Sequence, residues 1–215
     1  MVRIFPLIFI LLWSSAFITT KPIVDNSDPF SALAFRFFLV AIGFYLFSLY
    51  LKQSIIINKK NLIESLLSGI LFHGFYLGGV FYSISIGMPA GIAALIVTLQ
   101  PVLTNILSGP ILDEKVTIKQ WIGVLLGFLG ATLVLGLDVG SSIPLFGLVT
   151  TVIALIAITT STIWQKKLSN NLPLSVSNFY QAIGGCFFHI LIVILFAEPY
   201  INFNKTFIIA MSHQI

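Results

Sequence analysis

One charged side chain, Arg36, stands inside a long apolar block of this sequence. An ionisable group at the centre of a bilayer costs about 2.5–3.5 kcal/mol on insertion scales, so such a residue indicates a functional site by default. Arg36 lies about six residues from the end of its block, roughly 9 Å along a helix. Two interpretations stay open: the side chain reaches outward to pair with Asp25 or Asp28, or it faces a central cavity and attracts anionic groups.

A second polar position is the run Thr98-Leu99-Gln100-Pro101. Pro101 cannot donate a hydrogen bond to the carbonyl of Val97, so the sequence predicts a kink and a free acceptor at this point. Together with Asn105, Gln100 resembles the polar positions of broken-helix binding sites. Purely structural kinks of this type are also common in helix bundles, and the sequence leaves both interpretations open.

Aromatic residues supply the remaining candidates for a binding site. Interfacial anchoring is the usual role of Trp and Tyr in such proteins, but three of these residues lie deep enough in their blocks to line a cavity. The predicted substrate-binding residues are Trp13, Ser14, Arg36, Tyr76, Gln100, Asn105 and Tyr180.

The motifs of membrane enzymes are missing from the sequence. It contains no His-Glu-x-x-His, no paired carboxylates within an apolar block and no Gly-x-Ser-x-Gly turn that would activate Ser14 or Ser15. Hydrogen-bonded packing is the simpler role for His73 and His189. With a single cysteine, Cys186, and three histidines there is no zinc pattern. We therefore predict no enzyme, no metal and no cofactor.

The elements that carry these residues are membrane helices. Hydrophobic residues make up 58% of the chain and charged ones 8%, against roughly 45–50% and 25% in soluble domains. The apolar blocks approach the ~20 residues that a helix needs to cross a bilayer. An eighth block begins at Thr206 and is too short to span, so the chain looks truncated, or this segment is interfacial. The seven predicted spans are 4–20, 31–50, 67–87, 90–111, 121–137, 144–164 and 175–197.

Short breaks separate the spans. The run from Asp25 to Pro29 is a turn cluster, and Gly87-Met88-Pro89 predicts a reversal that makes helices three and four an antiparallel hairpin. The stretch from Lys52 to Asn61 reads as a surface connection. Small residues predict close helix contacts; they are Gly74 and Gly78 on helix three and Gly123, Gly127 and Gly130 on helix five.

The charge distribution predicts the orientation. On alternate sides of the seven spans the connections hold eight and two Lys or Arg residues, so the N-terminus is predicted to be cytoplasmic in a cell (inner) membrane. The net charge of +4 does not indicate a nucleic-acid partner, because the lysines are confined to short connections.

The chain also contains a weak internal repeat. Residues 12–21 align with 157–166, and residues 29–36 align with 173–180, at an offset of about 145. Five spans separate the two copies, and an odd number makes the second copy enter from the opposite side. This is the inverted topology of many secondary transporters.

An ordered set of motifs over about residues 4–137 resembles an EamA-type domain of the drug/metabolite transporter superfamily. The set comprises Trp13-Ser14-Ser15-Ala16-Phe17 with Lys21, Pro29 with Arg36-Phe37, the Gly-rich third helix, Ala90-Gly91-Ile92-Ala93-Ala94-Leu95 leading to Leu99-Gln100-Pro101, Glu114, and Gly123 with Gly127 and Gly130. Residues 144 to about 210 resemble the opening of a second such domain.

The resemblance implies an all-α, polytopic transmembrane helix bundle, an inverted repeat of five-helix EamA-type units with the second unit incomplete. The first repeat covers 1–140 and the second 141–215. It further implies a central cavity for amino acids, metabolites or amphipathic drugs, often for export by alternating access. Partners would be a small-molecule substrate and the lipid bilayer, with a homodimer left open. The alternatives are a truncated, non-transporting membrane protein and an intramembrane enzyme, which the missing motifs disfavour.

Overall fold

The computed structural model describes residues 5–112, 117–135, 143–168 and 172–215. Within these ranges the chain is α-helical, with one isolated antiparallel bridge and no strand. The predicted all-α helix bundle is therefore confirmed. The helices are α1 (Phe5–Val24), α2 (Pro29–Tyr50), α3 (Lys59–Ser85), α4 (Ala90–Val97), α5 (Gln100–Leu112), α6 (Ile118–Leu135), α7 (Leu145–Leu168), α8 (Leu174–Phe196) and α9 (Lys205–Gln214).

Among the described residues, five helical stretches are long and apolar enough to cross a bilayer: α2, α3, the α4–α5 pair over Ala90–Leu107, α7 and α8. Two shorter apolar stretches, Ile10–Val24 of α1 and Ile118–Gly130 of α6, complete the seven that the sequence predicted. Large apolar side chains are exposed along the outside of the bundle, among them Leu11, Ile18 and Phe187. Lipid is the solvent that matches such a surface.

The helix ends follow the predicted turn chemistry. The Asp28 carboxylate accepts a hydrogen bond from the Ser31 amide at 2.7 Å, and Pro29 is the first residue of α2. Gly87 has φ +97°, in the left-handed region that glycine tolerates, and the chain reverses there between α3 and α4. Both predicted breaks are confirmed.

The predicted start of the third span was wrong. Helix α3 begins at Lys59 rather than at residue 67, because the Asn58 side chain caps the Asn61 amide at 2.8 Å and no helix-breaking residue follows. The surface connection is correspondingly shorter, and covers 51–58.

Two faces of the bundle can be distinguished by the contacts between connections. At one face the Asp28 amide donates to the Tyr200 carbonyl at 2.8 Å, so the start of α2 lies beside the end of α8. At the other, the Ser175 hydroxyl donates to Gln53, so the start of α8 lies beside the end of α2. Helices α2 and α8 are therefore antiparallel, as the inverted arrangement requires.

The helices pack in pairs that relate the two halves of the chain. Helix α2 packs along α8, α3 along α7, and α1 along α9. Phe207, Ala210 and Met211 of α9 are buried against Leu33 and Phe37 of α2. This last segment, which the sequence predicted to be too short to span, therefore packs against the bundle.

Three glycines allow α3 and α8 to approach closely. A methyl group added at Gly69 would lie 2.1 Å from the Gln181 carbonyl oxygen, and one added at Gly184 would lie 2.4 Å from the Leu66 carbonyl oxygen. At Gly185 the added group would lie 2.4 Å from the His73 side chain. These backbones touch where only glycine fits.

The predicted glycine contacts are confirmed in part. Gly74 and Gly78 lie against the Phe188 and His189 side chains. The prediction for the fifth span, which is α6 in the structure, was wrong over the described residues. Nothing lies within 4 Å of a methyl group added at Gly123, Gly127 or Gly130. Spacing alone does not show which face of a helix meets a neighbour.

Gly69→Ala should destabilise the protein by about 1–3 kcal/mol, because the new methyl group forces α3 and α8 apart. Gly127→Ala is the matched control; it adds the same group in open space and should be neutral or slightly stabilising. Thermal unfolding of both variants in detergent measures the difference. Equal midpoints would show that the α3–α8 contact is not close.

Candidate functional site

A cavity of about 390 Å³, here called the Arg36 cavity, lies between α1, α2, α3 and α9. Its walls are mostly apolar. Trp13, Ala16 and Thr20 line it from α1, and Phe72 and Tyr76 line it from α3. Arg36 enters from α2 and Gln214 from α9.

The guanidinium of Arg36 is held in this cavity without a carboxylate. Its Nη1 donates to the Gln214 Oε1 at 2.9 Å, its carbon lies 5.4 Å from the centre of the Phe37 ring, and its Nε is buried with no hydrogen-bond partner. Asp25 pairs with Lys21, and Asp28 caps α2. Within the described ranges no carboxylate lies within ion-pair distance of Arg36, so the outward-pairing interpretation is wrong.

Gln214 fixes the position of the guanidinium. Its amide nitrogen donates to the Ala16 carbonyl at 3.0 Å and to the Thr19 hydroxyl at 2.9 Å, both on α1. Its oxygen is thereby directed at Arg36. One neutral side chain thus joins α1, α2 and α9 and leaves the positive charge uncompensated.

A second cavity of about 730 Å³, here called the α1–α4 cavity, adjoins the first. Ser14 lines it from α1, Gly91 from α4, and Gln100 from the start of α5. Trp13 and Phe17 line both cavities and separate them.

The break that Pro101 predicts is confirmed. Helix α4 ends at Val97 and α5 begins at Gln100. The Gln100 amide nitrogen lies 3.0 Å from the Thr104 hydroxyl oxygen and 3.4 Å from that of Thr162, which ties the break to α7. The polar group at the break is therefore satisfied inside the bundle while it borders the cavity.

The structure brings five of the seven predicted site residues to the two cavities. The two outside them are Asn105, which lines neither cavity, and Tyr180, whose hydroxyl donates to the Ile55 carbonyl at 2.8 Å near the start of α8. Of the predicted residues, Trp13, Arg36 and Tyr76 line the Arg36 cavity. Trp13, Ser14 and Gln100 line the α1–α4 cavity.

Several residues that line the cavities were not among those predicted from the sequence. Ala16, Phe17 and Thr20 follow Trp13 at helical spacing, so the 3.6-residue period could have found them. Gln214 had no such signal, because its segment was too short to be read as a span. It is nevertheless the hydrogen-bond partner that fixes Arg36.

The arrangement suits an amphipathic anion. The partly buried guanidinium of Arg36 offers a charge-assisted hydrogen bond to a carboxylate or phosphate, and the aromatic and aliphatic walls accept an apolar body. Across the part of the chain that the structure describes, no group of three or more His, Cys, Asp or Glu could hold a metal ion.

Sequence comparison places these features in a known family. The profile of the EamA-like transporter family matches residues 3–136, which include α1 to α6. Both cavities take most of their lining from this range.

Curated relatives are similar over most of the chain. An uncharacterized transporter of Bacillus subtilis (strain 168), YvbV, is 27% identical over 162 residues, 70% of this chain and 52% of its own length. A protein of Salmonella typhimurium named "Probable amino-acid metabolite efflux pump" is 25% identical over 169 residues, 78% of this chain and 54% of its own. The chain thus spans about half the length of these relatives.

A solved crystal structure shares the fold. It superposes with a TM-score of 0.76 at 19% identity and covers 95% of this chain and 70% of its own. The fold, the family profile and the relatives agree with one another. The chain belongs to the EamA-like transporter family.

Proposed function

We propose that this protein is a multi-pass transporter of the cell (inner) membrane that moves small solutes through the Arg36 cavity. The observation that carries the proposal is Arg36 itself, a partly buried cation that the described residues do not neutralise. An intramembrane charge is expensive and is kept where it contacts a substrate or an ion. Helix packing alone gives no reason to retain it.

The substrate class follows from the walls of the cavity. A volume of about 390 Å³ lies in the range of small-molecule sites, roughly 300–1,000 Å³. Amino acids, other carboxylate metabolites and amphipathic drugs combine a charged head for Arg36 with an apolar body for Trp13 and Tyr76. The name of the Salmonella relative refers to amino-acid metabolites and efflux, which supports this class and the direction of export.

Alternating access is the mechanism that we infer. We assign residues 1–140 and 141–215 to two inverted repeats, of which the second contributes three helices here. Helix α2 of the first repeat and α8 of the second lie antiparallel beside each other. Rocking of one repeat against the other would open the cavity to each face in turn. The partners are the solute and the lipid bilayer, and chemical crosslinking in membranes would detect a homodimer.

Arg36→Ala should raise the solute concentration for half-maximal flux by about 10- to 100-fold, because a hydrogen bond to a charged group is lost. Arg36→Lys should fall between, since it keeps the charge without the planar fork. Proteoliposomes loaded with radiolabelled carboxylate metabolites measure the flux.

Lys21→Ala is the matched control for this experiment, because Lys21 is a cation on the surface that pairs with Asp25. Its flux should equal that of the unaltered protein. Absence of flux for every metabolite class, in protein that elutes as a folded species, would identify a non-transporting membrane protein and overturn the proposal.

Gln214→Glu should inhibit binding of anionic solutes by about tenfold or more, because the new carboxylate satisfies Arg36 from within the protein. The substitution also removes the amide donor to the Ala16 carbonyl, so thermal unfolding is measured alongside to establish that the variant is folded. Competition by carboxylates against a fluorescent solute in proteoliposomes measures the change. Gln165→Glu, on α7 outside both cavities, is the control; equal loss in both variants would show a general effect of added negative charge.

The proposed orientation has its own test. Lys59 and Glu198 are exposed at opposite faces of the bundle. In a Cys186→Ser background, Lys59→Cys should resist an impermeant maleimide applied to intact cells, whereas Glu198→Cys should react. The reverse pattern would place the N-terminus outside the cytoplasm.

A further inference from the structure

Helix α3 changes its winding in the middle of the bundle. Over Ile70–Leu77 it is a π-helix, a winding defined by hydrogen bonds from an amide to the fifth preceding carbonyl. Such segments are rare and usually short, and they occur frequently at functional sites. No proline occurs within Lys59–Ser85, so the widening has another cause.

The return to α-helix passes over one carbonyl. The Gly78 amide bonds to the Gly74 carbonyl, four residues back. The π register pairs Leu77 with Phe72, five residues back. By this pairing, the His73 carbonyl, which lies between the two acceptors, is left without an amide donor from its own helix. In a membrane interior such a group is strongly destabilising unless another donor reaches it.

His189 supplies that donor from α8. Its Nε2 lies 2.9 Å from the His73 carbonyl oxygen, and because a carbonyl only accepts, Nε2 carries the hydrogen. The His189 side chain is fully buried. Its ring lies nearly parallel to that of Phe37, at 5.9 Å and 12°.

Gly78 leaves the space for this ring. A methyl group added at Gly78 would lie 3.1 Å from the Cε1 of His189. Packing from both sides therefore fixes the imidazole against α3, and the hydrogen bond is held by the bundle rather than by α3 alone.

The winding of α3 determines which of its side chains line the Arg36 cavity. Tyr76, Leu77, Val80 and Phe81 line the Arg36 cavity, and all four follow the His73 carbonyl in the chain. A shift of one residue turns an α-helix by about 100°. A return to continuous α-helix would therefore turn these four side chains relative to the first half of α3.

We propose that His189 is a positioning residue that holds α3 in its π register and thereby presents Tyr76 to the cavity. The role of this face in solute recognition rests on the proposed function; the control of the winding does not. When the hydrogen bond breaks, the His73 carbonyl pairs with the Leu77 amide instead, so the carbonyl has a partner in either register. The change of winding remodels one cavity wall without unfolding the helix.

Thiol modification at position 76 tests the inference. In a Cys186→Ser background, Tyr76→Cys is combined with His189, His189→Ala or His189→Gln, and the rate of reaction with methanethiosulfonate ethylammonium is measured in liposomes. His189→Ala should slow the reaction about tenfold, the scale of one lost buried hydrogen bond. His189→Gln should restore the rate, since its amide can donate from a similar position.

Ala16→Cys is the matched control, because it lines the same cavity from α1. Its reaction rate should not depend on residue 189. A folded His189→Ala protein with an unchanged rate for the thiol at position 76 would contradict the inference, as would a folded His189→Gln protein that fails to recover.

Deletion of Leu71 provides a second variant if His189→Ala does not fold. Removing one residue from the π segment restores continuous α-helix and keeps the second half of α3 in phase. The Tyr76→Cys thiol should then react at the original rate, and His189→Ala should fold in this background and leave the rate unchanged. Persistent dependence on His189 would overturn the proposal.

The labelling experiment is independent of transport. If flux is absent but the labelling rate depends on residue 189 as expected, only the proposed function is contradicted. Normal flux with labelling that ignores His189 would affect only the register inference.

Discussion

Lipid offers no hydrogen-bond partners, so the polar groups that lie within it depend on partners inside the protein, and the fold depends on that constraint. The ends of α2 and α3 are closed by the Asp28 and Asn58 side chains. At the break between α4 and α5, the Gln100 side chain is hydrogen-bonded to neighbouring hydroxyl groups. Arg36 carries a charge that these contacts do not compensate, because the described residues offer it a neutral oxygen and no counter-charge.

The need for polar groups to find partners within the protein also links the packing of α3 against α8 to the Arg36 cavity. Glycines let the backbones of α3 and α8 touch, and this proximity brings His189 within reach of a carbonyl that α3 leaves without a donor. The face of α3 beyond that carbonyl lines the Arg36 cavity. On the opposite wall, Gln214 joins α9 to α1 and directs its oxygen at the guanidinium. The cavity is thus held by the hydrogen bonds that two side chains, His189 of α8 and Gln214 of α9, make to neighbouring helices.

The sequence predicted the features that depend on composition and on residues that break helices. Apolar blocks gave the spans, and proline with glycine gave the breaks at 98–101 and 87–89. The missed features depend on the third dimension. Nothing in the order of residues shows that Gln214 meets Arg36, that the Gly123 face stays open, or that the Tyr180 hydroxyl is satisfied by a loop carbonyl. The π-helix within α3 was also not predicted, because His189, which we propose holds it in that register, lies on another helix.

The central claim is that Arg36 keeps its charge available for an anionic solute. An electron cryomicroscopy structure of the protein in lipid nanodiscs with a saturating carboxylate metabolite tests it most directly. We expect density for the carboxylate within hydrogen-bond distance of the guanidinium and Gln214 displaced or shared. A filled cavity whose solute lies away from Arg36, or an Arg36 paired with a carboxylate of the protein itself, would contradict the account.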